Sequence, residues 1–526
     1  MPHPSSSKSP KKAVSRNFEI EEFLSGASKP KARQPAGAGK PLYERFQDAY
    51  DWIVNNAVIT PHYDIEFNTA APRSFRFQGA GTDLRLPTAH SWSSFVLLPL
   101  LTFAGRKKAL FVGGPGRGKT ASALLMGIMA GYPLKEMRRA MQHGQPQMTV
   151  ADLLGSPLPK DLIQADDMEK IRIGWRAWIK MRVKIVDEYN RIPTRTQSAL
   201  LTLMADGYAE VLGQTIESPE SAWFLTANDD AGGGTYQVIE ALKDRIDVVI
   251  KALTFNPRFL EVLQKRLENR ERPEETMQAE KKHVFTETEL DESYQEILAM
   301  PIARSLRRRI EFFAAQFDFC DLASVDIEYK SKDTIHLAGK TLSAVCANDC
   351  GRDKTKCLCS QTENGLSVRS LMTLLTFAKS MAWFRGSEEV SPEDVRQIAP
   401  FVLHEKLQPN PTSPYFDQQS AQIYRVDRIA WLRRAWDLAC EEFVRLNLDR
   451  DDPVAEIDEI WTANGHLKSE PPVDVVDAQI NRIETALAKF AKTSKLYAHV
   501  HTDVVKLKYY HQRYSNYRPW KLKHPR

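Results

Sequence analysis

The sequence predicts an α/β fold built on a doubly wound parallel sheet, followed by a helical unit and a further helical extension. Two patterns lead to this prediction. From about residue 41 to residue 255, short apolar or β-branched runs alternate with longer helical patterns, as in parallel sheets covered by helices. From residue 256 onward, apolar residues recur at intervals of three and four, which indicates helices.

Individual elements follow from the same patterns. Four strands are predicted in the α/β region, at 109–112, 184–186, 223–226 and 247–250. Each is a short apolar or β-branched run of the length of a buried strand. Three later helices are predicted by their apolar spacing, at 302–319, 369–384 and 392–403.

The chain divides into four predicted segments, 1–40, 41–255, 256–407 and 408–526. The first is rich in Ser, Lys, Pro and Ala and is predicted to be a disordered basic tail, in which residues 18–24 form either an incidental apolar patch or a docking peptide. The second is the α/β core. The third is helical and is interrupted by a polar, cysteine-rich insertion at about 333–364. A Pro and Asn cluster then marks a linker to the basic helical extension.

Composition and charge exclude several classes of protein. Hydrophobic residues make up 42% and charged residues 26% of the 526 residues, which fits a folded chain too long for one compact core. The formal net charge of +5 is too small over this length to indicate a partner. The longest apolar run, 95–104, contains Pro99 and is far shorter than the roughly 20 residues that span a bilayer. With no secretory signal in the first forty residues, we expect a soluble, cytoplasmic protein without a membrane span.

A glycine-rich loop follows the first predicted strand. Its residues match the pattern G-x-x-x-x-G-K-[ST]: Gly113, Gly114, Pro115, Gly116, Arg117, Gly118, Lys119 and Thr120. In such a loop the backbone N–H groups cradle phosphate oxygens, Lys119 neutralises the β and γ phosphates, and the Thr120 hydroxyl ligates Mg²⁺. Because a strand precedes the loop and a helix at 121–130 follows it, we predict an ATP and Mg²⁺ site and not a glycine turn without a ligand.

Polar side chains follow two further strands. Asp187 and Glu188 come directly after the apolar run 183–186, so that Asp187 can hold the Mg²⁺ shell and Glu188 can polarise the attacking water. Asn228 follows the third strand and can orient that water, although an Asn in this position is also a common turn residue. These three residues complete the predicted hydrolysis site.

The residues around the acidic pair resemble the MoxR family of AAA+ ATPases. The stretch 187–201 is similar to the family pattern D-E-x-N-R-x-P-x-x-T-Q-S-A-L-L. The stretch 226–245 is similar to T-x-N…G-T-Y…E-A-x-x-D-R-F, with Ile246 in place of the usual Phe. Residues 367–371 and 391–403 are similar to the lid helices of the family.

The resemblance, over roughly residues 105–407, implies an AAA+ core with a helical lid in a ring, usually a hexamer, with ATP bound between neighbouring subunits. It implies that Asn228 is sensor 1, that Arg369 is sensor 2 from the lid, and that Arg245 is the finger that completes the site of the neighbouring subunit. Arg191 competes for the finger role, and either arginine could form a surface salt bridge instead. Guanidinium groups in these roles stabilise charge on the γ-phosphate.

Further implications concern substrates and partners. Residues 148–155 resemble the start of the helix-2 insert that, in this clade, faces the ring pore and engages substrate. Members of the family help to assemble or activate enzymes and complexes, and they generally work with a partner that carries a von Willebrand A-type metal-binding domain.

Four of the six cysteines lie within fourteen residues, at Cys346, Cys350, Cys357 and Cys359. Thiolates at this density suit Zn²⁺ or an iron–sulfur cluster. Their spacing, C-x₃-C-x₆-C-x-C, differs from the paired C-x₂-C arrangement of zinc ribbons. We expect structural zinc, with an iron–sulfur cluster or a metal-free loop as the alternatives.

Basic and aromatic residues are interleaved over 489–526. This segment has seven Lys and three Arg against the single acid Asp503, a net charge of +9, together with five tyrosines and Trp520. Such a segment can neutralise phosphates and stack bases, or it can dock an acidic protein. It can also be a solvated helical face whose tyrosines pack on the domain.

These observations predict an oligomeric Mg-ATPase that remodels, assembles or activates a protein client. The main alternative is a nucleic-acid-associated AAA+ motor or loader that uses the basic tail. A third, non-enzymatic alternative is a nucleotide-gated scaffold organised by the cysteine loop.

Overall fold

The computed structural model describes residues 39–59, 61–77, 83–164, 171–228, 240–252, 254–346 and 350–524. The predicted tail, with its segment 18–24, lies outside the described residues except for its last two positions. The G-T-Y part of the family pattern, at 234–236, also lies outside them.

The core is a five-stranded sheet in which every pairing is parallel. In chain order its strands are β1 (Lys108–Val112), β2 (Gln142–His143), β3 (Val183–Asp187), β4 (Ala222–Ala227) and β5 (Val248–Lys251). In space they follow the order β5, β1, β4, β3, β2. The predicted parallel sheet is confirmed, and four of the strands lie at their predicted positions. Strand β2 was not predicted, because its two polar residues give no apolar run.

Helices and short antiparallel pairs surround this sheet in the first half of the described chain. The helices are Leu42–Asn56, Ser94–Ala104, Lys119–Met129, Leu134–Ala140, Val150–Leu154, Pro159–Gln164, Thr194–Asp206 and Glu240–Asp244. The antiparallel pairs are Ile65–Phe67 with His90–Trp92, Arg73–Arg76 with Asp83–Leu86, Gly155–Pro157 with Ile173–Trp175, and Tyr208–Val211 with Gln214–Glu217.

The most apolar helix, Ser94–Ala104, is a buried core helix. It packs against β1, β4 and β5, and ten of its eleven residues are buried. Its eleven residues are about half of the length that spans a bilayer. None of the helices in the described ranges has the length and apolar character of a membrane span.

The second half of the described chain is helical. Its helices are Leu260–Asn269, Pro273–Glu280, Glu287–Ala299, Arg304–Asp318, Lys332–Leu337, Leu342–Val345, Val368–Phe384, Pro392–Val402, Arg428–Arg445, Ala455–Ala463, Val473–Thr493 and Ala498–Lys523. The predicted helices at 302–319, 369–384 and 392–403 are all present. The last of them begins with a capping box, because Ser391 and Asp394 satisfy each other's backbone N–H groups.

Two hydrophobic cores hold these elements. The larger core extends from Phe46 to Leu448 and includes the helix Arg428–Arg445, which packs on the helix Pro392–Val402. A second core begins at Val454 and joins the last three helices of the described chain.

The basic and aromatic residues near the C-terminus contribute to this second core. Tyr510 and Tyr514 are buried, and both rings contact Trp461. Several cations form ion pairs with acids of other elements: Lys506 with Asp458, Lys508 with Glu328, Arg518 with Asp477 and Lys521 with Glu470. Of the interpretations of this segment, packing on the domain therefore has direct structural support.

Candidate active site

The glycine-rich loop leaves the carboxyl end of β1 with backbone angles that favour glycine. Gly113, Gly116 and Gly118 have φ values of 146°, 72° and 77°. A Cβ atom on Gly113 would lie 2.6 Å from the carbonyl oxygen of Ala252, so no larger residue fits there without movement. The loop runs directly into the helix Lys119–Met129, whose first turn offers backbone N–H groups to an anion.

Lys119 lies at the start of this helix, with its side chain buried over the loop. Its ammonium group donates to the Gly114 carbonyl oxygen at 3.0 Å and to Asn228 Oδ1 at 2.7 Å, and it also contacts the Gly113 carbonyl oxygen. Asn228 therefore lies within reach of the P-loop lysine, as its place after a neighbouring parallel strand predicts.

Asp187 lies at the end of β3, next to the first turn of the same helix. Its Oδ1 atom accepts hydrogen bonds from Thr120 Oγ1 at 3.0 Å and from Thr226 Oγ1 at 2.6 Å. The Thr120 hydroxyl and the Asp187 carboxylate are hard oxygen donors. They suit Mg²⁺, which takes one or two protein ligands and completes its shell with water and phosphate.

Glu188 follows in the left-handed backbone region, with φ of 52°. Its backbone N–H donates to Thr226 Oγ1 at 2.9 Å, and its Oε1 accepts from Asn228 Nδ2 at 2.8 Å. A hydrogen-bonded chain thus joins Lys119, Asn228 and Glu188. This chain connects the phosphate-binding loop to the carboxylate predicted to activate water.

Two residues, one on β2 and one directly after it, contact the acidic pair, and neither was predicted from the sequence. His143 Nδ1 lies 3.6 Å from Asp187 Oδ2. The Gly144 N–H donates to the Asp187 carbonyl oxygen at 2.7 Å, and a Cβ atom on Gly144 would lie 2.2 Å from the Glu188 carbonyl oxygen. The only signal in the sequence is a glycine after a polar pair, which is too common to be informative.

The three candidate arginines have different surroundings. Arg191 Nη1 lies 3.2 Å from Glu188 Oε2 within the same chain. Arg369, about half exposed, forms an ion pair with Asp244 at 2.5 Å and so joins the lid helix Val368–Phe384 to the core. Arg245 follows Asp244 directly in the chain and is partly buried.

A cavity of about 220 Å³ opens beside the loop. Its apolar wall comes from separate segments: Ile53, Val58, Ala121, Leu125 and Phe255. Arg266, also in the lining, donates to the carbonyl oxygens of Asn56 and Ala57 at 2.6 and 2.9 Å. This cavity could not be predicted from the sequence, because its lining residues come from segments that are far apart in the chain.

The cysteine prediction is not supported by the structure. All six cysteines are free thiols. Within the described ranges, no three His, Cys, Asp or Glu side chains are placed to hold a metal ion together. Of the predicted ligands Cys346, Cys350, Cys357 and Cys359, the last two have their sulfur atoms in contact, at 3.5 Å. The spacing supplied four soft ligands, but in the described part of the chain they do not form a group that could hold a metal ion.

Comparison with known proteins defines the class of this chain. Residues 108–248 match the profile described as the ATPase family associated with various cellular activities (AAA), and residues 356–424 match the AAA lid domain. Together with the parallel sheet and the P-loop, these matches show an AAA ATPase core followed by an AAA lid domain, and the chain is an ATP hydrolase. The non-enzymatic scaffold is therefore not favoured.

Individual proteins are similar over longer stretches. YeaC of Bacillus subtilis, whose function is uncharacterised, is 23% identical over 334 residues, which are 62% of this chain and 86% of YeaC. A solved structure of a candidate ATPase from Cytophaga hutchinsonii is 18% identical, with a TM-score of 0.46, and the match covers 74% of this chain and 94% of that one.

Proposed function

We propose that this AAA+ ATPase belongs to the MoxR branch and acts as a ring, a hexamer, that uses ATP to remodel, assemble or activate a protein client. The observation that carries the proposal is the hydrogen-bonded chain from Lys119 through Asn228 to Glu188. It joins the P-loop to two motifs that resemble the MoxR pattern. A von Willebrand A-type domain protein is the partner that this resemblance suggests.

Within this proposal each side chain has a distinct task. Lys119 binds the β and γ phosphates, and Thr120 and Asp187 hold Mg²⁺, which when bound neutralises charge on the phosphates. Glu188 accepts the proton of the attacking water, and Asn228 holds the Glu188 carboxylate in position. These roles are based on the hydrogen bonds of Lys119 with Asn228, of Thr120 with Asp187, and of Asn228 with Glu188.

The arginines act from other elements. We assign the finger role to Arg245, the position that the family resemblance implies, with Arg191, which lies beside Glu188 of its own chain, as the competing candidate. Arg369 acts as sensor 2 and must leave Asp244 to reach a γ-phosphate. In this proposal the γ-phosphate of the nucleotide competes with Asp244 for Arg369, and the position of the lid depends on which of the two binds this arginine.

The adenine base fits the cavity beside the loop. The cavity is adjacent to Gly116, Arg117 and Gly118, and its apolar wall suits a flat aromatic ring. Ala121 is the third residue of the helix Lys119–Met129, lines the cavity and is only partly buried, so a larger side chain there enters the space proposed for the base.

Replacing Ala121 with Phe is expected to raise the Kd for ATP by about 5- to 150-fold, since overpacking costs about 1–3 kcal/mol. Isothermal titration calorimetry measures this effect, and Ala121→Ser, which adds little volume, is the matched control. If Ala121→Phe binds ATP as tightly as the wild type and both melt at the same temperature, the base does not occupy this cavity.

Ring assembly is tested by light scattering coupled to size-exclusion chromatography. We expect ATP to convert the 59.8 kDa chain into a species of about 360 kDa, six times the mass of the chain. A monomer at every nucleotide concentration would contradict the ring.

The nucleic-acid alternative requires free cations on the C-terminal helices. Several cations there are paired with acids, and the two most buried tyrosines lie in the second core, which leaves fewer groups for phosphates and bases. Measuring the ATPase rate with and without DNA or RNA over a salt series separates the two functions. Stimulation that declines as salt rises would favour the alternative.

A further inference from the structure

One antiparallel strand pair, Arg73–Arg76 with Asp83–Leu86, is exposed on both of its faces. All of its residues are exposed except Asp83, which is partly buried. Within the described ranges this sheet has two strands and no third. An isolated pair of strands is marginally stable in water, and its unpaired edges are open to a further strand. This exposed strand pair therefore lacks the partner that such a structure needs.

One face of the exposed strand pair is apolar. Residues directly opposite each other in the register share a face, and Phe75 lies opposite Leu84. On the same face Leu86 lies opposite Arg73. The side chains of Phe75, Leu84 and Leu86 are each about half exposed, as is Phe77, which directly follows the strand. Large apolar side chains exposed side by side mark interaction sites.

The other face is basic. Arg76 lies opposite Asp83, and its Nε is 3.1 Å from Asp83 Oδ1. Arg85, opposite Ser74, adds a second exposed cation to this face. Two arginines against one acid leave a net positive charge. A third strand that suits both faces needs apolar side chains on one side and acids on the other.

The segment 18–24, which lies outside the described residues, has this pattern in its sequence. Its first four residues alternate apolar and acidic side chains: Phe18, Glu19, Ile20 and Glu21. Because successive side chains of a strand point to opposite faces, the two apolar residues fall on one face and the two acids on the other. The three glutamates of the segment are the only acids among the first forty residues. The segment is thus complementary to both faces of the exposed strand pair.

The described chain begins close to the strands that flank the exposed strand pair in the sequence. Gln47 Nε2, on the helix Leu42–Asn56, donates to the Phe384 carbonyl oxygen at 2.6 Å. The Phe384 ring packs on Trp92, with their centroids 5.9 Å apart. Trp92 belongs to the pair of Ile65–Phe67 with His90–Trp92, between whose strands the exposed strand pair lies in the chain. The first helix and the flanking strands therefore meet at Phe384.

The connecting segments are long enough for docking. Six residues lead from Phe67 to Arg73, and sixteen lead from Leu24 to Lys40. At roughly 3.3–3.6 Å per residue, the first segment spans at most about 20 Å and the second reaches about 50 Å. The segment 18–24 can therefore reach the exposed strand pair of its own chain.

We propose that residues 18–24 dock on the exposed strand pair of their own chain as a third strand. Phe18 and Ile20 cover the apolar face, and the glutamates lie on the basic face. Main-chain hydrogen bonds hold the added strand, and the alternating side chains select it, as in other cases of β-augmentation. The N-terminal tail thus acts as an intramolecular ligand of the core.

Hydrogen exchange of the full-length protein, followed by mass spectrometry, tests the docking. In the double variant Phe18→Ser, Ile20→Ser, the amides of the exposed strand pair should exchange about tenfold faster than in the wild type, the effect of losing the burial of one apolar side chain. Val14→Ser changes an apolar tail residue outside the segment and should leave these rates unchanged. The pair Tyr208–Val211 with Gln214–Glu217 should exchange equally in all three proteins. Equal rates for the exposed strand pair in all three would overturn the proposal.

A photocrosslinker identifies the occupant of the apolar face. With p-benzoylphenylalanine in place of Phe75, we expect crosslinks to residues 18–24. The matched control places it at Tyr208, an exposed aromatic residue of another strand pair, and should give none to this segment. In a mixture of isotopically labelled and unlabelled chains, the crosslinks should never join the two kinds. Crosslinks between the two kinds, or only to other segments, would overturn the proposal.

The charges of the basic face provide a third test. Arg85→Glu should speed exchange of the exposed strand pair about two- to fivefold, the effect of losing an exposed ion pair. Adding Glu19→Arg and Glu21→Arg to the same chain should restore the wild-type rate, because the charges of the two sides are then exchanged. A triple variant that exchanges faster than Arg85→Glu alone would contradict the placement of the glutamates on this face.

Discussion

Replacing Glu188 with Gln is expected to reduce ATP turnover by about 10²–10⁴-fold while ATP binding persists. Glutamine has the size of glutamate, and its side-chain oxygen can still accept the hydrogen bond from Asn228 Nδ2. It cannot accept a proton from the attacking water at neutral pH. Steady-state phosphate release measures the turnover, and calorimetry measures the Kd for ATP.

The matched control for this variant is Glu210→Gln. Glu210 is exposed on the strand Tyr208–Val211, so the same change of charge is made away from the nucleotide site. It should leave turnover within the error of the wild type. If Glu188→Gln hydrolyses ATP at a rate within twofold of the wild type, Glu188 is not the general base.

The fold was predictable where hydrophobic periodicity is strong. The four apolar strands and the three lid-region helices carry unbroken patterns, and each lies within a few residues of its prediction. Their parallel arrangement explains why three distant motifs converge, since the carboxyl ends of parallel strands share one edge of the sheet. Strand β2 could not be predicted in this way, because it is defined by its pairing with β3, a tertiary contact, and not by the types of its two residues.

The candidate site was only partly predictable, for a related reason. Residue type and position after a strand were enough to place Asp187 and Asn228 near the P-loop. The pairing of Arg191 with Glu188, and that of Arg369 with Asp244, depend on side-chain directions that no spacing encodes. The cysteines illustrate the same limit. Their density suggested a metal, whereas no group that could hold a metal is found among the described residues, where Cys357 and Cys359 have their sulfur atoms in contact beside Arg352.

Lys119→Ala is expected to raise the Kd for ATP by roughly 10- to 150-fold, because a hydrogen bond to a charged group contributes about 1.5–3 kcal/mol. The variant removes the ammonium group that bridges the loop carbonyl oxygens and Asn228. Turnover should fall with binding, since Asn228 also loses the partner that links it to the loop. Calorimetry with ATP gives the Kd, and thermal unfolding without nucleotide shows whether the fold persists.

The comparison of Lys119→Ala with Glu188→Gln separates binding from chemistry. Both variants should be inactive, but only Glu188→Gln should retain ATP and the ring that ATP promotes. Lys135→Ala, an exposed lysine on the helix Leu134–Ala140, is the charge-matched control and should bind ATP normally. If Lys119→Ala binds ATP with a Kd within threefold of the wild-type value, the Lys119 ammonium group does not contact the phosphates. Its contacts with the loop carbonyl oxygens and Asn228 would then only stabilise the loop.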